Sequence, residues 1–497
     1  MPPDCPKPIR ETCAAASAVA ACLLVALSGC ATLASQKSEP ALVDVPAAWS
    51  ATDVAADAGK ASLIAWWTRF DDPLLARLVS EALQANASVA SAQAALRQAR
   101  ALRDVASAAL YPTLGSSASA QRSRGGTGAS STGGASTNNL FQAGLDANWE
   151  LDIFGVNRSA LNASDAVARA SAASLGDVQV SIAAEVALAY IGLRSAQARL
   201  AIAEENLASQ RETMQITRWR LQAGLVTALD VEQARALAEQ TGALVPALQT
   251  SIAQTRHALA VLAGQPPAAL ADVLRASTPV PQARDDLALS VPAETLRQRA
   301  DVRAAEFQVM AAAARVSQAE AARLPSFSIG GSLGLSALTL GTLTNGASVV
   351  SSILGSVTLP LFDGGALRAQ VSAQQAALDQ ARQSWRAAIL AALTDVEDAL
   401  VALRGDRVRL TRLSDAAEAA SNAAALARQQ YASGLVDFQT VLETQRTQLN
   451  TQDSVASARA DVGSDHVRLY KALGGGWLPN IEISDTETAL IHRATKP

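Results

Sequence analysis

Apolar positions along the chain fall into two registers. Val186, Leu193, Leu200, Leu207, Met214 and Leu221 are spaced seven apart, with Ala189, Ala196 and Ala203 in the companion seam. A second run, Val231, Ala238, Val245, Ile252 and Leu259, keeps the same spacing. Sustained heptads predict long helices in coiled-coil packing. The first helix, read from Val156 to Gln222, would reach about 100 Å at 1.5 Å per residue. Gly224 follows as a turn, and the second run returns as an antiparallel arm. Pro246 sits inside that arm and predicts a kink or an interruption.

The other register alternates. From Phe141 to Leu151 the odd positions are Phe, Ala, Leu, Ala, Trp and Leu, and the even ones Gln, Gly, Asp, Asn and Glu. Phe327, Ile329, Gly331, Leu333 and Leu335 share one face of a further segment, and Ile353, Gly355, Val357, Leu359 and Leu361 share a face of the next. A weaker, Ser-rich strand follows Pro112. Strands of about 10 residues with one apolar face suit a membrane barrel; a half-buried soluble hairpin has the same period. The connections Ser116–Asn139 and Ser336–Ser348 are polar and rich in Gly, Ser and Thr.

The two registers occur twice. Gly224-Leu225-Val226 recurs as Gly434-Leu435-Val436, an offset of 210 that also pairs Leu151 with Leu361, Gly155 with Gly365, Leu193-Arg194 with Leu403-Arg404, and Gly264 with Gly474. Upstream the offset is 213, pairing Pro112 with Pro325. Duplicated architecture is implied. Each copy reads as a helix (about Pro73–Leu110 and Ala293–Arg323), a strand–loop–strand, a very long helix, a Gly turn and a returning helix. Pro246 has Ala456 as its counterpart, so the copies differ there. The segments are 1–29 (leader), 30–72 (linker), 73–264 (first repeat), 265–292 (linker), 293–476 (second repeat) and 477–497 (tail).

Composition agrees with closely packed helices: 49% of the 497 residues are hydrophobic and only 4% aromatic, with Ala filling the difference. Alanine favours helix and lets helices approach. A net charge of −4 leaves no basic footprint for nucleic acid. Cysteine stops at Cys30 and the three histidines (His257, His466, His492) are far apart, which argues against thiol catalysis and His-rich metal sites. Lys7 and Arg10 precede an apolar run, Ala14 to Leu27, too short to span a membrane as a mature helix. The run ends in Leu27-Ser28-Gly29-Cys30, which resembles a bacterial lipobox. That resemblance implies cleavage before Cys30 and acylation of Cys30; an ordinary signal peptide with a chance cysteine is the alternative. Ala31 at the next position resembles the outer-membrane sorting default. After Cys30 no apolar stretch reads as long enough for a transmembrane helix, so a membrane crossing would use strands. Four strands cannot close a barrel, which needs roughly eight; the chain is expected to oligomerise, three copies supplying twelve strands.

Several strings carry a family resemblance: Trp66-Trp67-Thr68-Arg69-Phe70-Asp71-Asp72-Pro73, Trp149-Glu150-Leu151-Asp152-Ile153-Phe154-Gly155, Asp301-Val302-Arg303-Ala304-Ala305-Glu306, Leu359-Pro360-Leu361-Phe362-Asp363-Gly364-Gly365 and Lys471-Ala472-Leu473-Gly474-Gly475-Gly476-Trp477. In this order in a duplicated chain they resemble the TolC-like outer-membrane efflux proteins, in the lipid-anchored branch that serves RND-type drug pumps. The resemblance implies a mixed α+β membrane protein: a homotrimer whose 12-stranded β-barrel stands in outer-membrane lipid and continues into a periplasmic α-helical barrel. It implies a periplasmic adaptor and an inner-membrane RND-type pump as partners, and an exit duct with no cofactor and no metal. Ala300 departs from the family, which usually has proline there.

By the same resemblance, Gly224, Leu225, Gly434 and Leu435 form the tips that meet the adaptor, and Asp230, Tyr431, Thr440 and Glu443 match gate positions. Tyr431 and Asp230 are expected to link helix to helix. Thr440 stands where some members carry an acid, and Val436 where some carry arginine. Gly330-Gly331-Ser332-Leu333-Gly334 fits a hydrolase nucleophile elbow, but on a continuing strand it reads as chance. Gly474-Gly475-Gly476 lacks the Lys and Ser/Thr of a phosphate loop. A coiled-coil lipoprotein scaffold without a pore is the competing reading; alternating strands argue against it. Drug efflux and secretion both remain open at this stage.

Overall fold

The computed structural model describes residues 63–124, 137–283, 296 and 298–477. The predicted leader, Cys30 and the tail beyond Trp477 lie outside the described residues, as does much of both linkers.

A single 3-10 turn, Trp66–Phe70, leads into α1 (Pro73–Ala85) and α2 (Ala87–Ala108). Strands β1 (Thr113–Arg124) and β2 (Thr137–Leu151) follow, then α3 (Val156–Gln222) and α4 (Ala228–Leu262). The second copy runs α5 (Ala300–Ala321), β3 (Ser326–Ala337), β4 (Val349–Thr358), α6 (Ala366–Ala432) and α7 (Phe438–Ala472). Both long helices hold 67 residues and both returning helices 35. The duplication read from the 210-residue offset is therefore a structural one.

The four strands make one antiparallel sheet in the order β1-β2-β3-β4. Trp149 pairs with Ile329, and Asp146 with Ser332. Ser332 bonds the Ser352 hydroxyl at 2.8 Å in the middle of β3, so the elbow-like string is strand and nothing more. β4 stops at Thr358, before the expected Leu361: Pro360 has no N–H for the ladder. Along β1 and β4 every residue is exposed, including Ile353, Leu354 and Val357.

Matching devices start the two long helices. Asp152 accepts from the backbone N–H of Asn157 and Arg158 (3.0 and 2.8 Å), and Asp363 from those of Gly365 and Leu367 (2.8 and 2.7 Å). Gly155 and Gly365, at φ 82° and 91°, take the left-handed turn that aims the chain out of the sheet. These contacts hold the Asp363 carboxyl below its usual range.

Three expectations need correction. The first helix is not continuous from Pro73 to Leu110. Asn86 breaks it with extended backbone (ψ 133°), accepting from Ser88 N–H while its amide donates to the Leu262 carbonyl at the end of α4. That cross-link satisfies an orphan helix end, which outweighs continuity. Second, α4 runs unbroken through Pro246. Pro246 is exposed, so the carbonyl of Gly242, which loses its donor there, lies on a face near solvent, and the proline does not interrupt the helix. Third, one stretch of α3 is long and apolar enough by composition to cross a membrane. Its Ile182, Val186, Ile191 and Leu193 are instead core.

That core lies where the 3-10 turn, α1 and the tail end of α7 meet α3. Trp66 is fully buried, stacked on Tyr470 at 5.5 Å between ring centroids and edge-on to Trp67 and Phe70. The Gly474-Gly475-Gly476 string threads past it. A Cβ on Gly475 would come within 3.0 Å of Leu63 O and the Trp66 ring, and Gly476 N–H donates to Leu63 O at 2.9 Å. Trp477 then lies across Gly176 of α3. Nearby, Tyr190 donates to Asp72, which caps α1, while Arg194 donates to Tyr190, Gln197 and the Ala276 carbonyl. Desolvation and the Asp72 hydrogen bond raise the Tyr190 phenol above its usual range.

Candidate functional site

Each hairpin reverses through the same geometry. Gly224 and Gly434 sit at φ 74° and 73°, and the next residue's N–H reaches back to Arg220 O or Gln430 O, 2.9 Å in both. This is a Schellman closure, which needs the left-handed residue that glycine supplies. Leu225 and Leu435 stand beyond it, 73% and 75% exposed. Leu229 and Trp219 extend the first apolar tip.

The returning helices begin with mirror-image caps. In the first hairpin Thr227 receives the Asp230 N–H (3.3 Å), and Asp230 accepts from the N–H and hydroxyl of Thr227 (2.8 Å each), a full capping box. In the second, Asp437 is the cap and Thr440 the partner: Thr440 donates its N–H at 2.8 Å and its hydroxyl at 2.6 Å. Acid and hydroxyl have exchanged places between equivalent positions. Thr440 thus lacks the acid at its own site, yet the charge survives three residues earlier on Asp437. Sequence reasoning missed Asp437, although the Asp-x-x-Thr spacing before an apolar run carried the signal. The Thr440 hydroxyl and N–H hold its carboxyl below the usual range.

Tyr431 bridges three elements, but not through Asp230. Its ring lies 5.3 Å from Phe438 and under the Arg220 guanidinium at 4.5 Å, while its hydroxyl is buried with no hydrogen-bond partner. Phe438 and Arg220 were not singled out from the sequence. Both hold Tyr431 by ring contacts, which leave no spacing pattern. Ala234, Leu237, Ala427, Val441 and Leu442 complete the small apolar cluster there. Glu443 is exposed and paired with Arg446 at 3.5 Å.

Above this cluster the joint between the hairpins is polar. Gln445 donates to Thr213 (2.9 Å), Asn206 to Gln452 (2.7 Å), Arg428 to Ser209 (3.0 Å), and Arg199 forks onto Asp453 at 2.6 and 3.0 Å. Gln210 is 2% exposed and neither of its amide atoms is bonded. From Arg199 to Thr213 the contacts α3 makes with the second hairpin are thus largely polar.

The family description for outer membrane efflux proteins matches residues 78–265 and 291–475, both repeats in turn. The chain belongs to the outer membrane efflux protein family. Over 453 residues it is 30% identical to nodulation protein T of Rhizobium leguminosarum bv. trifolii, covering 91% of this chain and 96% of that one. It is equally similar, 30% over 468 residues, to the toluene efflux pump outer membrane protein TtgF of Pseudomonas putida, covering 92% and 96%. Among solved structures, the outer-membrane channel OprN superposes with a TM-score of 0.82 at 35% identity, covering 88% of this chain and 99% of its own. The efflux protein described here is an outer-membrane exit duct that extends into the periplasm. Its family is one of transport channels.

Proposed function

We propose that three copies assemble with β4 of each paired to β1 of the next, closing a twelve-stranded barrel in the outer membrane over a tunnel of twelve long helices. The open four-stranded sheet carries this reading: among the described residues the outer edges of β1 and β4 are unpaired and both strands are exposed, and such edges invite strand pairing. Substrate moves passively; an inner-membrane RND-type pump supplies energy and a periplasmic adaptor links the two. The adaptor docks on Leu225 and Leu435. Tyr431, Asp230, Thr440 and Glu443 close the periplasmic end, and Cys30 carries the lipid anchor. Nothing in the duct performs catalysis.

Relatives are named for toluene efflux, pyoverdine export and nodulation. One duct architecture serving such different names supports selection by the pump and not by the duct. The test is conductance of the purified protein in a planar bilayer. A threefold assembly with discrete single-channel steps is expected, and a monomer that adds no conductance would overturn the reading in favour of a scaffold.

A further inference from the structure

Where α6 and α7 run side by side, ionisable side chains are enclosed. Asp465 on α7 is 1% exposed, and its Oδ1 accepts from Arg468 at 2.7 Å. Its Oδ2 is buried and no donor reaches it. Beside it, within hydrogen-bonding reach, is the carboxyl of Asp406 on α6. Ionised carboxylates only accept, so two of them satisfy each other only when one carries a proton.

Other ionisable side chains stand around the pair. His466 is also buried, its Nδ1 at 2.8 Å from Val462 O and its Nε2 at 3.0 Å from Arg407 of α6. A guanidinium only donates, so Nε2 accepts, Nδ1 donates and the ring is neutral. Arg409 lies outside, between Asp406 (3.4 Å) and Asp461 (3.1 Å). α3 meets the other face of α7 through Ala460, Val467 and Tyr470, and its Arg194 is bonded to Tyr190, Gln197 and Ala276. Arg299, just before α5, reaches Ala472 O and pairs with Asp301 and Asp395. In the first hairpin the equivalent positions are Ala196 and Thr255, so the pair belongs to the second hairpin alone.

We propose that Asp465 keeps a proton with which its Oδ2 bonds the Asp406 carboxyl and clamps α6 to α7, and that release of this proton loosens the second hairpin down to its tip. Burial pushes the Asp465 carboxyl up, Arg468 pulls it down and Asp406 pushes it up again, to about 6. The folded state therefore binds this proton more tightly than the unfolded chain does. Its contribution is complete below the ordinary carboxylate range and is lost as pH rises through about 6. Protonation of His466 would set two cations together, an effect of opposite sign that a separate variant isolates. The tip lies roughly 40 Å down the helix at 1.5 Å per residue, and the contacts from α3 to the second hairpin along the way, at Arg199, Asn206, Ser209 and Thr213, are polar. Only the last step, from hairpin packing to conduction, rests on the channel reading above.

The test uses the purified full-length protein in detergent with isotope-labelled aspartate. Infrared difference spectra should show a protonated-carboxyl band that disappears with a midpoint near pH 6 and is absent from Asp465→Asn and Asp406→Asn. Hydrogen exchange across α6 and α7, corrected for intrinsic rates, should accelerate through the same midpoint. It should stay flat in Asp465→Asn, whose amide donates to Asp406 at every pH, and keep its transition in His466→Gln. A wild-type spectrum without the band overturns the proposal, as does a band that survives both Asn substitutions or exchange indifferent to pH. The wild-type arms stand even where a variant does not fold. A spectral transition in a protein that fails to conduct would strike the channel reading and leave the proton pair intact.

Discussion

Thr440 gives both its hydroxyl and its backbone N–H to Asp437, and this one carboxylate holds the first turn of α7. Asp437→Ala is expected to fray that turn, while Asp437→Asn, still a good cap, retains it. Because the folded Asp437 carboxyl is held below its usual range, the stabilisation is present at neutral pH and lost as pH falls through its lowered value. Hydrogen exchange over 438–444 in the two variants checks this; equal protection in Asp437→Ala and wild type would remove the cap from the account.

Tyr431 acts through its ring and not its hydroxyl. Tyr431→Phe should leave the resting conductance unchanged. Tyr431→Ala and Arg220→Ala should raise it, the second by removing a contact worth about 0.5–1 kcal/mol at an exposed site. Single-channel recording separates the three. A rise in Tyr431→Phe alone would mean the hydroxyl finds a partner across the assembly.

Charging the tips should uncouple the duct without unfolding it. Leu225→Asp with Leu435→Asp places carboxylates at two exposed apolar points that no core contact uses. Export should fall to the level of cells lacking the protein, with the oligomer intact by native gel. Undiminished export would remove both leucines from the docking surface.

Gly475 has no room for a side chain. Gly475→Val forces a side chain into contacts already at 3.0 Å with Leu63 O and the Trp66 ring, and overpacking of this kind costs about 1–3 kcal/mol. Lower yield and an earlier melting transition are expected. Gly192→Ala, at a glycine with open space around it, serves as the control.

Gln210 is a buried amide to which nothing among the described residues is bonded, and an unpartnered buried amide is expected to cost stability. Gln210→Leu should raise the melting temperature, because it replaces an unpartnered buried amide with an apolar side chain of similar size. A lower melting temperature would mean that an ordered water satisfies the amide.

Periodicity carried most of the fold. The heptads placed α3 at Val156–Gln222, and alternation found the strands, because both signals repeat over many residues. Features resting on one residue did not show. The break at Asn86 depends on a bond to Leu262 in a distant helix, and the run through Pro246 on its exposure. At the tips, resemblance pointed to Tyr431 and Asp230 as partners, whereas Asp230 is committed to Thr227. The polar seam escaped because Thr213 and Gln445 are uninformative singly; their meaning lies in facing one another.

The exchange of Asp and Thr between the two caps has a consequence for whatever docks below. In a threefold assembly the six tips would alternate around the rim, one kind opening with Thr227 and the next with Asp437. A partner built of six identical units would meet two different surfaces, and its subunits would have to bind in two poses. Duplication followed by divergence thus lowers the symmetry of the rim, which would repeat three times around the axis instead of six.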